Sequence, residues 1–249
     1  MTLFAKHFDK LNLDYSIEYK TKKNIAIYVD INGVRVTAPH RTSIKHIEDL
    51  LLKKSSWILK KLHQMDETKQ LVTYKEFTTG EEIPYLDNNY PLVVTSKSNI
   101  KKASLSFQNS CFTAEIPDNY SSTERKTALK QLLIKWYKTQ GKNDIQERLK
   151  YLCPKLGKHP SKVTVKEQKT LWGSCNPIRK TININWRILM APIEIVDYII
   201  VHELAHLHHP NHSPEFWRTV SSILPDYKER RSWLKKHGIT LDLHTKFKN

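Results

Sequence analysis

Between residues 25 and 36 apolar side chains recur at every second position: Ile25, Ile27, Val29 and Ile31 precede Asn32 and Gly33, and Val34 and Val36 follow them. A period of two marks a half-buried strand, and Asn-Gly between two such runs predicts a hairpin with a type I′ turn, pairing Ile31 with Val34 and Val29 with Val36. The period then becomes helical. Ile44, Ile47, Leu51, Ile58 and Leu62 form one stripe, with Thr42 or Ser43 as its cap. Residues 71–117 return to short strand-like runs around Val93, Phe107 and Ala114, divided by Pro, Asn, Gly and Ser.

The second half opens on a capping box, Ser121 with Glu124, leading into Leu129, Leu132, Leu133, Trp136 and Tyr137. A second helical stripe, Ile145, Leu149 and Leu152, ends near Cys153 and Pro154. Strand-like runs at 163–165 and 181–186 flank the loop LWGSCNPIRK. Residues 192–208 read as one helix, with Pro192 at its first position and Pro210 stopping it. The expected class is α+β: a β-rich region with one amphipathic helix over residues 1–118, then a mostly helical region with a short antiparallel sheet over 119–249. The seam is expected near Pro117 and Asp118.

Composition narrows the field. With 249 residues, 39% apolar and 10% aromatic, the chain buries a real core, which excludes disordered and fibrous classes. No apolar run approaches the ~20 residues needed to span a bilayer. The N-terminus, MTLFAKHFDKLNLDY, mixes charges into its apolar residues and does not read as a secretory signal, so a cytoplasmic protein without a membrane partner is expected. Cys111, Cys153 and Cys175 are too few and too scattered for a disulfide framework or a CxxC site. The net charge of +16 raises the question of polyanions, but the excess is spread along the chain and is mostly Lys. Without a nucleic-acid signature it reads as a solvated Lys-coated surface, with at most weak affinity for nucleotides or nucleic acid.

The chemistry is concentrated elsewhere. Five of the twelve histidines lie between positions 202 and 212, in VHELAHLHHPNHSPEFW. Within this run HELAH is an HExxH pattern: residues four apart on a helix share one face, so the His202 and His206 imidazoles can converge on one metal ion. Glu203, rotated about 100° from His202, can reach water at that ion and act as general base.

A catalytic zinc needs a third protein ligand and an open position. His209 shares the face, but seven residues of helix rise about 10.5 Å, too far for one tetrahedral centre. Glu229 could serve as a downstream carboxylate, and Glu215 less comfortably. His212 fits best, because it stands between the break at Pro210 and a new helix start with Ser213 as cap, Pro214 first and Glu215 in the first turn. Cys175 could close a purely structural site as a fourth ligand. His208 and His209 read as solvent-facing or supporting groups, and Phe216 and Trp217 as core. Arg187 and Tyr198 are candidates for a second oxyanion donor, and the strand at 181–186 is a candidate sheet edge for an extended peptide.

The segments TLWGSC, TININWRILMAP, DYIIVHELAHL and NHSPEFW together closely resemble the YgjP-like metallopeptidase family, distantly similar to SprT-like zinc proteases; SSWILKKL and GEEIPYL resemble its first half. The resemblance implies a zincin-like catalytic half. It also implies zinc held by His202, His206 and His212, Glu203 as general base, and a peptide or protein substrate. HExxHxxxxxH also matches metzincin spacing, but His209 stands where that pattern wants Gly, and the last methionine, Met190, lies upstream. Two rival functions are a metal-dependent hydrolase of nucleotide phosphoanhydrides and a DNA-associated module with structural zinc. A missing P-loop and Mg²⁺ cluster weigh against the first, and a general base beside an open site weighs against the second.

Overall fold

In the computed structural model, which describes residues 4–30, 33–69 and 72–245, the chain forms two compact units, Met1–Val72 and Thr73–Asn249. The first unit is a four-stranded sheet with two helices. Its strands are β1 (Phe4–Phe8), β2 (Leu13–Lys20), β3 (Ala26–Asp30) and β4 (Gly33–Pro39), ordered β1-β2-β4-β3. The inner pair β2 and β4 is parallel, and both outer pairs are antiparallel. Ile17, Val36 and Ala38 on the sheet meet Ile47, Leu51 and Ile58 in one buried cluster.

The β3–β4 hairpin forms in a different register from the one expected. Val29 pairs with Val34, Ile27 with Val36, and Asp30 with Gly33. Gly33 therefore belongs to the ladder, where its φ of +103° is open to glycine and costly for a side chain. Ile31 and Asn32, including the expected pairing of Ile31, lie outside the described residues. The single helix expected next is two, α1 (Ile44–Lys53) and α2 (Ser55–Lys69), broken at Lys54, with Ser43 rather than Thr42 as cap of the first.

The second unit begins with a sheet of β5 (Glu82–Tyr85), β6 (Asn88–Lys97), β7 (Ser104–Gln108) and β8 (Cys111–Pro117), ordered β5-β6-β8-β7. Its buried residues Ile83, Leu92, Phe112 and Ile116 join the core made by the later helices. The seam expected near Pro117 and Asp118 thus runs inside this unit, between β8 and the next helix.

That helix, α3 (Ser122–Leu156), is one element where the sequence shows two stripes. Ser121 and Glu124 form the capping box, and Gly157, in the left-handed region, ends the helix. The gap between stripes falls at Gly141. A Cβ there would lie 2.1 Å from Leu189 Cδ1, so the helix is bare where it crosses residues 186–190. A three-stranded sheet follows: β9 (Lys162–Lys166), β10 (Gly173–Asn176) and β11 (Thr181–Asn185), ordered β10-β11-β9. It is mixed, not antiparallel, because β11 runs parallel to β9. β11 is its centre. β10 and β9 are its edges, and β10 forms inside the segment expected to be loop.

Candidate metal centre

The helix that carries the histidine pair, α4 (Ile193–Ala205), is apolar on most sides and buries Ile195, Ile199, Ile200 and Leu204. Arg148 of α3 anchors it with a two-pronged bond to Asp197, its Nε donating to Oδ1 at 2.7 Å. Pro192 is the residue before the helix rather than its first. The helix also ends earlier than expected, at Ala205, with His206 as its C-cap. The chain then turns tightly, the N–H groups of His208 and His209 both donating to the Ala205 carbonyl.

That turn orients the ligands. His206 Nδ1 donates to the His209 carbonyl at 3.0 Å, which fixes the tautomer and leaves Nε2 free. The His208 ring donates to the Leu156 carbonyl at 2.9 Å, tying the turn to the end of α3. Ser213 caps α5 (Pro214–Ile223), accepting from the Phe216 N–H, and so holds His212 at the mouth of that helix.

The result is convergence. Ligand atoms of His202, His206 and His212 all lie within 4.8 Å of one another, and His202 Nε2 is 3.1 Å from His212 Nε2. Two nitrogens bound tetrahedrally to one ion at ~2.0–2.1 Å stand roughly 3.3 Å apart, so these three imidazoles could hold one metal ion. Phe216, fully buried, floors the cluster with ring centroids 5.0, 4.6 and 4.8 Å from the three imidazoles. None of the other ligand candidates belongs to this cluster. His209 meets the Thr219 hydroxyl, Glu215 pairs with Arg218, Glu229 is exposed on α6 (Tyr227–His237), and Cys175 is a free thiol.

Burial sets the electrostatics. It pushes His202 down to about 3, assisted by the charges of His206, His212 and Arg231, and it lowers His212 with help from His206 and Arg231. Both rings are thereby held neutral, the state in which imidazole binds metal. Glu203 is 4% exposed, and burial raises its carboxyl to about 8. No hydrogen bond or ion pair to Glu203 is found among the described residues. Its close neighbour is backbone: a Cβ on Gly173 would lie 2.5 Å from Glu203 Oε1, so β10 can run over the carboxylate only because that residue is glycine.

Of the candidate oxyanion donors, Arg187 is engaged, bonding Glu167 at 2.8 Å and Asp242 at 3.1 Å. Tyr198 is buried one turn before His202, its ring 6.0 Å away. Gly173, Phe216 and Arg231 went unrecognised as parts of the site. For Gly173 a signal existed, since a glycine beside strand-forming residues marks a close approach.

A helix and the turn after it thus bring together three imidazoles that could hold one metal ion beside a buried carboxylate, the arrangement of a metal-dependent hydrolase. The YgjP-like metallopeptidase domain matches residues 23–237, and the chain belongs to that family; it is a hydrolase of metallopeptidase type. Among solved structures, the metallopeptidase zymogen abylysin of Pyrococcus abyssi is similar over 36% of this chain and 93% of its own, at 28% identity and a TM-score of 0.34. No curated protein sequence matches. Among the described residues no helix is long and apolar enough to cross a membrane.

Proposed function

We propose that the protein is a zinc-dependent peptidase that cleaves peptide bonds in cytoplasmic protein substrates, with His202, His206 and His212 as zinc ligands and Glu203 as general base. The observation that carries this reading is the meeting of three imidazoles beside an unpaired, buried carboxylate. Three nitrogen donors with room for a fourth position suit catalytic zinc. Zinc bound there would supply Lewis acidity toward water and carbonyl oxygen.

The chain's own groups do the rest. Glu203 takes the proton of the attacking water on a carboxylate oxygen and later delivers it to the leaving amine nitrogen. Burial, by raising its proton affinity, suits it to both transfers. Among the described residues nothing pairs with the outer side of β10, and an extended peptide adding to that edge would pass beside Glu203.

The test combines metal analysis with turnover of an unfolded protein, a peptide library and nucleoside triphosphates. Peptide cleavage that stops on chelation and returns with one equivalent of zinc is the expected result. Zinc-dependent triphosphate turnover without peptide cleavage would replace this reading. Gly173→Ala gives a local check. Its methyl group displaces the Glu203 carboxylate, and an ångström of misplacement can cost ~100-fold. A 10- to 100-fold drop in kcat with zinc retained is therefore expected, and unchanged kcat would show that the carboxylate need not sit where β10 holds it.

A further inference from the structure

Trp217, on α5, stacks on the His212 imidazole with ring centroids 5.7 Å apart and planes inclined by 24°. Tyr227 stacks on Trp217 at 5.2 Å. Over the same indole lies the guanidinium of Arg231, its central carbon 5.1 Å from the ring centroid. Arg231 is exposed, and its charge is felt at His202 and His212.

The neighbouring arginines are occupied. Arg230 bonds Asp226 at 2.9 Å and the Glu194 carbonyl at 2.8 Å, Arg218 bonds Glu215, and Arg148 bonds Asp197. Arg231 has no carboxylate partner among the described residues. An indole face holds the planar group in place without using its N–H donors, leaving a preset fork that matches a carboxylate. Such a fork beside a metal centre, in a chain with cations to spare, has no structural anion to hold.

Building on the peptidase reading above, we infer that Arg231 is a specificity residue that binds a substrate carboxylate close to the scissile bond. Two ring contacts bound its distance from His212, and an extended peptide advances ~3.3–3.6 Å per residue, so the carboxylate belongs within about three residues of the cleaved bond. It is either an acidic side chain or the C-terminal carboxylate of a short peptide. The contact is made in the bound substrate and therefore acts on KM more than on kcat.

Peptides with Glu or Gln at each of those positions, and with free or amidated C-termini, separate the two sources. Charge-assisted hydrogen bonds of this kind correspond to roughly 10- to 100-fold discrimination. Wild type should show such a preference in kcat/KM for one carboxylate. Arg231→Gln should reduce it to within about twofold and Arg231→Lys should keep part of it, because an ammonium lacks the fork. Zinc content and melting temperature confirm that each variant is folded.

Binding supplies a readout independent of turnover. Calorimetry of the same peptides on the zinc-loaded Glu203→Gln protein should show the preference, and adding Arg231→Gln should remove it. The inference is overturned if wild type ignores carboxylates in both assays, or if Arg231→Gln leaves the preference unchanged. It is also overturned if Arg231→Gln lowers kcat equally for every peptide, the behaviour of an oxyanion donor. Absence of any peptide cleavage would refute the peptidase reading alone, and the calorimetric arm would still decide the role of Arg231.

Discussion

Glu203→Gln should lower kcat for peptide cleavage by ~10³-fold, within the range that one general base contributes, while bound zinc stays stoichiometric. The substitution keeps the volume and one oxygen but removes the ability to take a proton. The carboxylate has no hydrogen-bond or ion-pair partner among the described residues that the amide would forfeit, and it is not one of the three converging ligands. The amide replaces a group that is itself buried without a partner and penalised when ionised, so no loss of stability is expected, which a thermal melt will check separately. Zinc analysis beside steady-state kinetics makes the measurement. A variant that keeps its zinc and works within tenfold of wild type would remove Glu203 from the proton-transfer role.

His212→Ala should abolish stoichiometric zinc. Removing even an outer hydrogen-bond partner of a ligand costs 10–100-fold in affinity, and losing one of three ligands should exceed ~100-fold. His202 and His206 would remain on the helix and its cap, but two imidazoles leave half of a tetrahedral shell to water. His209→Ala is the control. That residue contributes its backbone carbonyl to His206, which alanine retains, and its ring meets the Thr219 hydroxyl and the His208 ring rather than the three converging imidazoles. Equilibrium dialysis against a zinc buffer should therefore separate the two variants. Zinc lost from His209→Ala and kept by His212→Ala would reverse the ligand assignment.

Much of this site can be read without coordinates because it is built from local rules. Two histidines four apart on a helix, a capping box at Ser121 and Glu124, and Ser213 with Pro214 at a helix start depend on backbone geometry within a few residues. Two of the misread elements needed distant partners. Residues 173–176 carry no alternating apolar run and become a strand because β11 offers a ladder. The two stripes of α3 join into one helix because the glycine between them, which costs about 1 kcal/mol in a helix, gives room to Leu189. The Asn-Gly pair suggested one hairpin register, and the ladder, with Gly33 opposite Asp30, adopts another.

The division between the two levels is physical. Spacing along the chain determined that two imidazoles share a helical face with a carboxylate beside them, and turn chemistry singled out His212 as their best companion. Only the tertiary structure decided that β10 lies over Glu203, that Phe216 floors the cluster and that Arg231, of all the cations, rests on Trp217 beside it. Those placements follow from burying apolar faces that lie far apart in sequence, and no local period encodes them.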